Sequence, residues 1–204
     1  MFEIDIRKIP VYWINLAKDV KRRKSMSLFF RRHNFKQAIR IPGVVHAEQH
    51  VMSHYIGCME AHRAAFEAAP ADDFIIMEDD CAPTKWFSPI LRMPLNTDGF
   101  YLGVSLWGAK SFTETCPYLK AAPVEKQHLD EGVCKITNML STHAIYYRTA
   151  RYARVCKALI DKARMLNIPH DITYALNMRN CNVYCKRRPL FYQRSSAEIT
   201  NVEW

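Results

Sequence analysis

The sequence lacks a long hydrophobic run. Its longest stretch free of Asp, Glu, Lys and Arg covers only residues 136–147, whereas a transmembrane helix needs about 20 apolar residues. The first ten residues, MFEIDIRKIP, contain acids and a proline where a signal peptide has its apolar segment. We therefore expect no transmembrane segment, and we expect a cytoplasmic protein.

The chain also lacks internal repeats, low-complexity segments and Gly/Ser-rich linkers. Its 204 residues are 49% hydrophobic and 24% charged, which is enough for one sizeable core and marginal for two. This composition excludes disordered, collagen-like and coiled-coil proteins as overall classes. We predict a single domain over residues 1–204.

Cysteine pairs at zinc-ligand spacing are scarce. Of the seven cysteines, Cys181 and Cys185 form a C-x3-C motif with His170 upstream, but no second pair has ligand spacing. The odd number of cysteines also argues against a complete set of disulfides, and a chain of this length does not need them to fold. The sequence favours reduced thiols over a zinc site.

Acidic residues are outnumbered, with 20 Asp and Glu against 29 Lys and Arg and a net charge of +9. Residues 7–40 contain eleven bases and one acid, and residues 179–194 contain five bases and no acid. Such a segment is either a solvated helix face or a surface that attracts phosphates. Partners consistent with it are a nucleotide, DNA and an anionic membrane surface.

The apolar segments predict an α/β fold. Short continuous apolar runs predict buried strands, and apolar residues three and four apart predict helices. Strands are predicted over residues 11–16, 37–41, 74–77, 100–107 and 143–148, helices over residues 19–33, 53–69, 149–167 and 169–178, and an extended tail over residues 182–193. This order predicts a mostly parallel central sheet flanked by helices, with a more irregular C-terminal part.

Three acids, Glu78, Asp79 and Asp80, directly follow the apolar segment FIIM. Strands of an α/β sheet place their carboxyl ends at the ligand crevice. Adjacent acids repel each other there, and Mg²⁺ or Mn²⁺, which prefer oxygen ligands, would relieve that repulsion and bind a nucleotide diphosphate. Strand alternation predicts Glu78 and Asp80 on one side and Asp79 on the other. The alternative is a polar strand-to-loop transition with a helix cap.

Short motifs occur along the chain in a recognisable order. They are VYWINL with Arg22 and Arg23, RIPGV at residues 40–44, GCMEAH at residues 57–62, FIIMEDD at residues 74–80, YLG at residues 101–103, THAIY at residues 142–146, IPHD at residues 168–171, and a tail with Tyr184, Pro189, Gln193 and Ser196. In this order they resemble the motifs of the family 25 glycosyltransferases, which include bacterial lipooligosaccharide galactosyltransferases and procollagen galactosyltransferases. Ala61 stands where that family has a serine.

The resemblance implies a GT-A fold, in which one α/β domain binds a nucleotide sugar through Mn²⁺ or Mg²⁺. The implied activity is an inverting transfer of the sugar, most simply from a UDP-sugar, to a hydroxyl of a saccharide or glycoconjugate. The basic segments keep a modified base in DNA open as the acceptor. A non-catalytic domain that binds nucleic acid or sugar nucleotides is the alternative from a different class.

The resemblance also implies roles for individual residues. Asp80 would be a metal ligand, with Glu78 as a second or supporting ligand. Asp171 would be the base that deprotonates the acceptor, unless it caps the helix that follows Pro169. The donor-binding residues would be Ile14, Asn15, Arg22, His62 and Asp79, with core packing as the alternative for His62.

Overall fold

A mixed eight-stranded sheet with helices on both faces forms the centre of the structure, a computed structural model that describes residues 1–46, 53–109, 122–129 and 132–194. The described helices are α1 (Val20–Arg32), α2 (Ser53–Ala68), α3 (Ala150–Leu166) and α4 (His170–Asn177). The described strands are β1 (Phe2–Asp5), β2 (Val11–Asn15), β3 (Ala38–Pro42), β4 (Phe74–Glu78), β5 (Cys81–Pro83), β6 (Ile90–Met93), β7 (Gly99–Tyr101), β8 (Trp107–Gly108), β9 (Ala122–Pro123), β10 (Glu125–His128), β11 (Val133–Asn138), β12 (Ala144–Tyr147), β13 (Val183–Lys186) and β14 (Phe191–Gln193).

The order of strands in the large sheet is β10-β11-β13-β7-β12-β4-β2-β3. The pairs β2–β3, β2–β4 and β7–β13 are parallel, and the other four neighbouring pairs are antiparallel. The prediction of an α/β fold is confirmed, but the prediction of a mostly parallel sheet is wrong. Parallel neighbours need a crossover, usually a helix, and the described residues between β4 and β12 contain no α-helix.

The first half of the sheet is a parallel β2-α1-β3-α2-β4 unit. Both β3 and β4 pair with β2, so the chain passes to one side of β2 and then to the other. In this register Asn15 lies opposite Pro42, and Ile14 lies opposite Glu78. The carboxyl ends of three strands therefore meet at one edge, on either side of a topological switch point, where α/β proteins bind ligands.

Helices cover both faces of this unit. Met26 and Phe30 of α1 pack in one core cluster with Trp13 and Met77. Met59 and Phe66 of α2 pack in the other cluster, which also contains residues of α3 and α4. Because β2 and β4 are buried on both faces, their sequences are continuously apolar rather than alternating. This explains why VYWIN and FIIM were recognisable as strands.

The helix ends follow local chemistry. The Thr149 side chain accepts a hydrogen bond from the Tyr152 amide (3.2 Å) and begins α3. Asn167, with a φ of 53°, ends α3 in the left-handed conformation. Pro169 then precedes α4, so the chain turns sharply. Asp19 occupies the N-cap of α1 as predicted, but its side chain makes no capping bond.

The predicted helices and most predicted strands are confirmed, with one exception. The strand predicted over residues 100–107 is shorter, because the sheet contains only β7 there and β8 belongs to a separate two-stranded sheet. Of the helices in the described part of the chain, none combines the length and apolar character that a membrane span requires.

Candidate functional site

A cavity of about 170 Å³ opens at the carboxyl ends of β2, β3 and β4. It is lined by six of the predicted site residues, namely Ile14, Asn15, Arg22, Glu78, Asp79 and Asp80. Gln193 and Cys58, to which no role at a donor or cation site was assigned, line it too. The parallel strands thus bring together residues that are up to 66 positions apart, between Ile14 and Asp80.

Asp79 is the centre of a hydrogen-bond network between β4 and α1. Its Oδ2 accepts from Asn15 Nδ2 (2.5 Å), and its Oδ1 accepts from Arg22 Nη1 (3.2 Å). Asn15 also donates to the Asp19 carbonyl (3.2 Å), and Asn15 Oδ1 accepts from Arg40 Nε (2.9 Å). Because both carboxylate oxygens of Asp79 have donors, this residue positions Asn15 and Arg22 rather than offering a free ligand.

Glu78 is held by two donors on its Oε1. His62 Nε2 lies 3.1 Å away, and Thr142 Oγ1 donates over 2.8 Å. Burial would raise the pKa of Glu78, but the hydrogen bonds from His62 and Thr142 outweigh it and lower this pKa to about 2. Glu78 is therefore an anion at any physiological pH, and it lies at the cavity wall.

Asp80 is 8% exposed. Its Oδ2 accepts from Gln193 Nε2 (2.8 Å), whereas its Oδ1 is buried without a partner among the residues that the structure describes. Burial and then the charge of Glu78 raise the pKa of Asp80 to about 6. An orphaned carboxylate oxygen beside an anionic Glu78 fits a divalent cation, which would satisfy that oxygen and neutralise both charges.

The predicted alternation holds for two of the three acids. Glu78 contacts His62 of α2, whereas Asp79 contacts Arg22 of α1 on the other face. Asp79 and Asp80 follow the last residue of β4 and lie in a turn. Asp80 is therefore beyond the strand, and its side chain accepts a hydrogen bond from Gln193.

His62 and Asp171 do not line the cavity. His62, on α2, is fully buried, and its side chain contacts Glu78. Asp171 is the second residue of α4, whose N-cap is Pro169, so it is not the N-cap residue itself. Its Oδ1 is buried without a partner among the described residues, and burial raises its pKa to about 6. The charge of Glu78 contributes to the raised pKa of Asp171, and the charge of Asp171 contributes to the raised pKa of Cys58, but Asp171 does not line the cavity.

Sequence reasoning missed several residues of this site. Arg40, Thr142 and Gln193 stand in quoted motifs, but no role was assigned to them. An arginine inside a predicted strand, two residues before Pro42, was the available signal for Arg40. Thr142 and Gln193 reach the site because β12 pairs with β4 and β14 pairs with β5. No local sequence pattern indicates these pairings.

Cysteine and histidine donor atoms lie close together at a place other than the C-x3-C motif of Cys181 and Cys185. Donor atoms of Cys58, His62 and His170 lie within 4.8 Å of one another in the described structure. Cys181 and Cys185 are not part of this group, and Cys185 lies opposite Cys134 on β11. The six described cysteines are free thiols, and Cys116 lies outside the described residues.

Most of the basic residues of α1 point to solvent. Lys21, Lys24, Arg31 and Arg32 are exposed, whereas Arg22 bonds to Asp79 at the cavity. Arg194, at the end of the second basic segment, donates to Ser25 Oγ of α1 (2.5 Å). The end of the second basic segment therefore contacts α1, the helix of the first.

Comparison with protein-family models and with curated proteins returned no match to this chain. The function is therefore inferred from the chemistry of the cavity and from the order of the motifs.

Proposed function

We propose that this protein is a metal-dependent glycosyltransferase of the GT-A type, related to the family 25 glycosyltransferases. It would move a sugar with inversion from a nucleotide sugar, most simply a UDP-sugar, to a hydroxyl of a saccharide or glycoconjugate in the cytoplasm. The observation that carries the proposal is the pair Glu78 and Asp80 in a cavity at a topological switch point. The anionic Glu78 and the orphaned Oδ1 of Asp80 match a cation and the phosphates it would bind.

The β2-α1-β3-α2-β4 unit supports the nucleotide part of the proposal. Units of this topology bind mononucleotides at the carboxyl ends of their strands. Ile14 and Asn15 end β2 at the cavity, where a nucleoside would pack. Arg22 lies in the first turn of α1 and is anchored by Asp79. Its remaining N–H groups and the positive end of the helix suit a diphosphate.

Asp80 and Glu78 are the residues that would hold Mn²⁺ or Mg²⁺. Ions of this class are often held by one or two carboxylates together with substrate phosphates, so two acids are sufficient. When bound, the cation would neutralise the charge that develops on the departing nucleoside diphosphate. Gln193 keeps the Asp80 carboxylate in place, and the His62 and Thr142 bonds keep Glu78 ionised.

Asp171 is the proposed base for the acceptor hydroxyl. A pKa raised to about 6 is well matched to a base that works near neutral pH. Asp171 acts electrostatically on Cys58, which lines the cavity. An acceptor would therefore have to approach from the α2–α4 side of the cavity to reach Asp171.

The assignment of the cation site is tested by calorimetry with UDP in the presence and absence of Mn²⁺. We expect Asp80→Asn to remove Mn²⁺-dependent UDP binding, because the amide loses the charge that a hard cation requires. The matched control is Asp72→Asn, since Asp72 is an exposed acid in the turn before β4, and it should bind as the unmodified protein does. Unchanged affinity in Asp80→Asn would refute the cation site. Release of UDP from UDP-sugars with Mn²⁺ separates an enzyme from a domain that only binds.

A further inference from the structure

A second metal-binding arrangement lies behind the acidic cavity, between α2 and α4. Cys58 and His62 are four residues apart on α2, so their side chains lie on the same face of the helix. His170 is the first residue of α4, and its ring centroid lies 4.7 Å from that of His62. The donor atoms of the three residues lie within 4.8 Å of one another.

The imidazole nitrogens of this cluster are buried but not satisfied. His62 is 0% exposed and His170 is 4% exposed. Among the residues that the structure describes, His62 Nδ1 and His170 Nε2 have no hydrogen-bond partner, and neither has Asp171 Oδ1 beside them. Buried polar atoms are normally paired, and a group of adjacent unpaired ones needs an explanation. A cation is one partner that can satisfy several lone pairs at once.

The bond between His62 and Glu78 orients the ring for such a role. His62 Nε2 lies 3.1 Å from Glu78 Oε1, so Nδ1 is the ring nitrogen that remains for another partner. Metal-binding histidines characteristically donate their second ring N–H to a carboxylate in this way, which fixes the tautomer and strengthens the ligand. Glu78 therefore holds the His62 ring through Nε2.

We propose that Cys58, His62 and His170 bind a Zn²⁺ ion, with a water molecule as the fourth ligand. One thiolate and two neutral imidazoles lower the charge of the complex with Zn²⁺ to +1, and the Glu78 carboxylate that contacts His62 offsets that charge. A mixed set of sulfur, nitrogen and oxygen donors is typical of zinc rather than of Mg²⁺ or Mn²⁺.

Zinc would join the start of α4 to α2. Tetrahedral zinc places its donors about 3.3–3.5 Å apart, as follows from Zn–N of about 2.0 Å and Zn–S of about 2.3 Å. Binding would therefore draw the three side chains slightly closer than the 4.8 Å limit. Cys58 also lines the cavity, which provides a path for the ion. The inference does not depend on the proposed transferase activity, because the site stands on its own donor atoms.

The test uses the purified chain after treatment with a chelator and a reductant. Titration with Zn²⁺ against a chromogenic chelator should give one site with a Kd below about 1 µM. Co²⁺ should give the visible bands of a tetrahedral ion and a near-ultraviolet band from the thiolate. Cys58→Ser should remove the thiolate band, and both Cys58→Ser and His170→Gln should weaken Zn²⁺ binding at least 100-fold.

Matched controls separate this site from its surroundings. Cys181→Ser removes another buried thiol, and His33→Gln removes an imidazole of α1. Both should bind Zn²⁺ as the unmodified chain does. Asp80→Asn should also retain Zn²⁺ binding, so loss of the acidic-cavity function and loss of the zinc site give different results. Circular dichroism shows whether each variant folds, and alkylation mapped by mass spectrometry gives a readout on the unmodified chain, in which Zn²⁺ should protect Cys58.

Absence of saturable Zn²⁺ binding to the folded chain would overturn the proposal. So would a folded Cys58→Ser variant that binds as tightly as the unmodified chain, or alkylation of Cys58 at the same rate with and without Zn²⁺.

Discussion

Replacing Asp79 with asparagine tests whether the network between β4 and α1 holds the cavity together. The substitution keeps the shape of the side chain but removes its charge. It also replaces one acceptor oxygen by an NH₂ group, which would face either Asn15 Nδ2 or Arg22 Nη1, both of them donors. At least one of the two hydrogen bonds must therefore be lost.

The expected decrease in the free energy of unfolding depends on how far Asn15 and Arg22, the two partners of Asp79, are buried. Asn15 is 1% exposed, so its bond to the carboxylate counts as a buried, charge-assisted bond worth about 1.5–3 kcal/mol. The Arg22 side chain is 46% exposed, and solvent screening limits its ion pair to about 1 kcal/mol. We expect Asp79→Asn to lower the free energy of unfolding by about 2–3 kcal/mol.

Urea denaturation followed by fluorescence measures this change, because Trp13 is buried two residues before Asn15. A double-mutant cycle with Asn15→Ala isolates the Asn15–Asp79 pair, for which we expect a coupling energy of about 1–2 kcal/mol. Asp72→Asn is the exposed control and should change the stability by less than about 0.5 kcal/mol. A loss in Asp79→Asn no larger than in this control, or no coupling in the cycle, would refute the network as described.

Three further predictions concern the reaction, the charge and the pH dependence. Asp171→Asn should reduce turnover with saturating acceptor by about 10²–10⁴-fold while leaving donor affinity unchanged, and near-normal turnover would remove Asp171 as the base. If DNA carries the acceptor, affinity for duplex DNA should fall steeply with salt, and alanine at Arg31, Arg32, Arg187 and Arg188 should flatten that dependence; no binding at low salt would exclude DNA. Burial lowers the pKa of His143 from 6.5 to about 4, so its contribution to stability is present above pH 6.5 and is lost as the pH falls towards 4. Denaturation between pH 7 and 4 should therefore show a shallower pH dependence for His143→Gln than for the unmodified chain, and equal slopes would contradict this assignment.

The sequence was sufficient for the part of the fold that depends on local patterns. Strands buried on both faces are continuously apolar, so β2 and β4 were recognisable, and the helix predicted over residues 149–167 agrees with α3. Because acids directly followed β4, the edge of the sheet that bears the cavity could be predicted.

The remaining features depend on contacts between distant segments. The antiparallel insertion of β12 between β4 and β7 has no local signature, since apolar runs do not show their direction in a sheet. The resemblance named Asp80 as a ligand, but the bond from Gln193 and the buried, unpaired Oδ1 were visible only in the structure. The C-x3-C spacing drew attention to Cys181 and Cys185, whereas the cysteine that meets two histidines is Cys58.

The hydrogen bond from Gln193 to Asp80 has a consequence for biosynthesis. It joins residues 113 positions apart, and β14 also pairs with β5 directly after the acids. During translation the acids therefore leave the ribosome long before the strand that positions Asp80 does. The acidic cavity can be completed only after Gln193 has been synthesised, 113 positions after Asp80. A nascent chain arrested before β14 should contain the parallel β2-α1-β3-α2-β4 unit without a competent cation site.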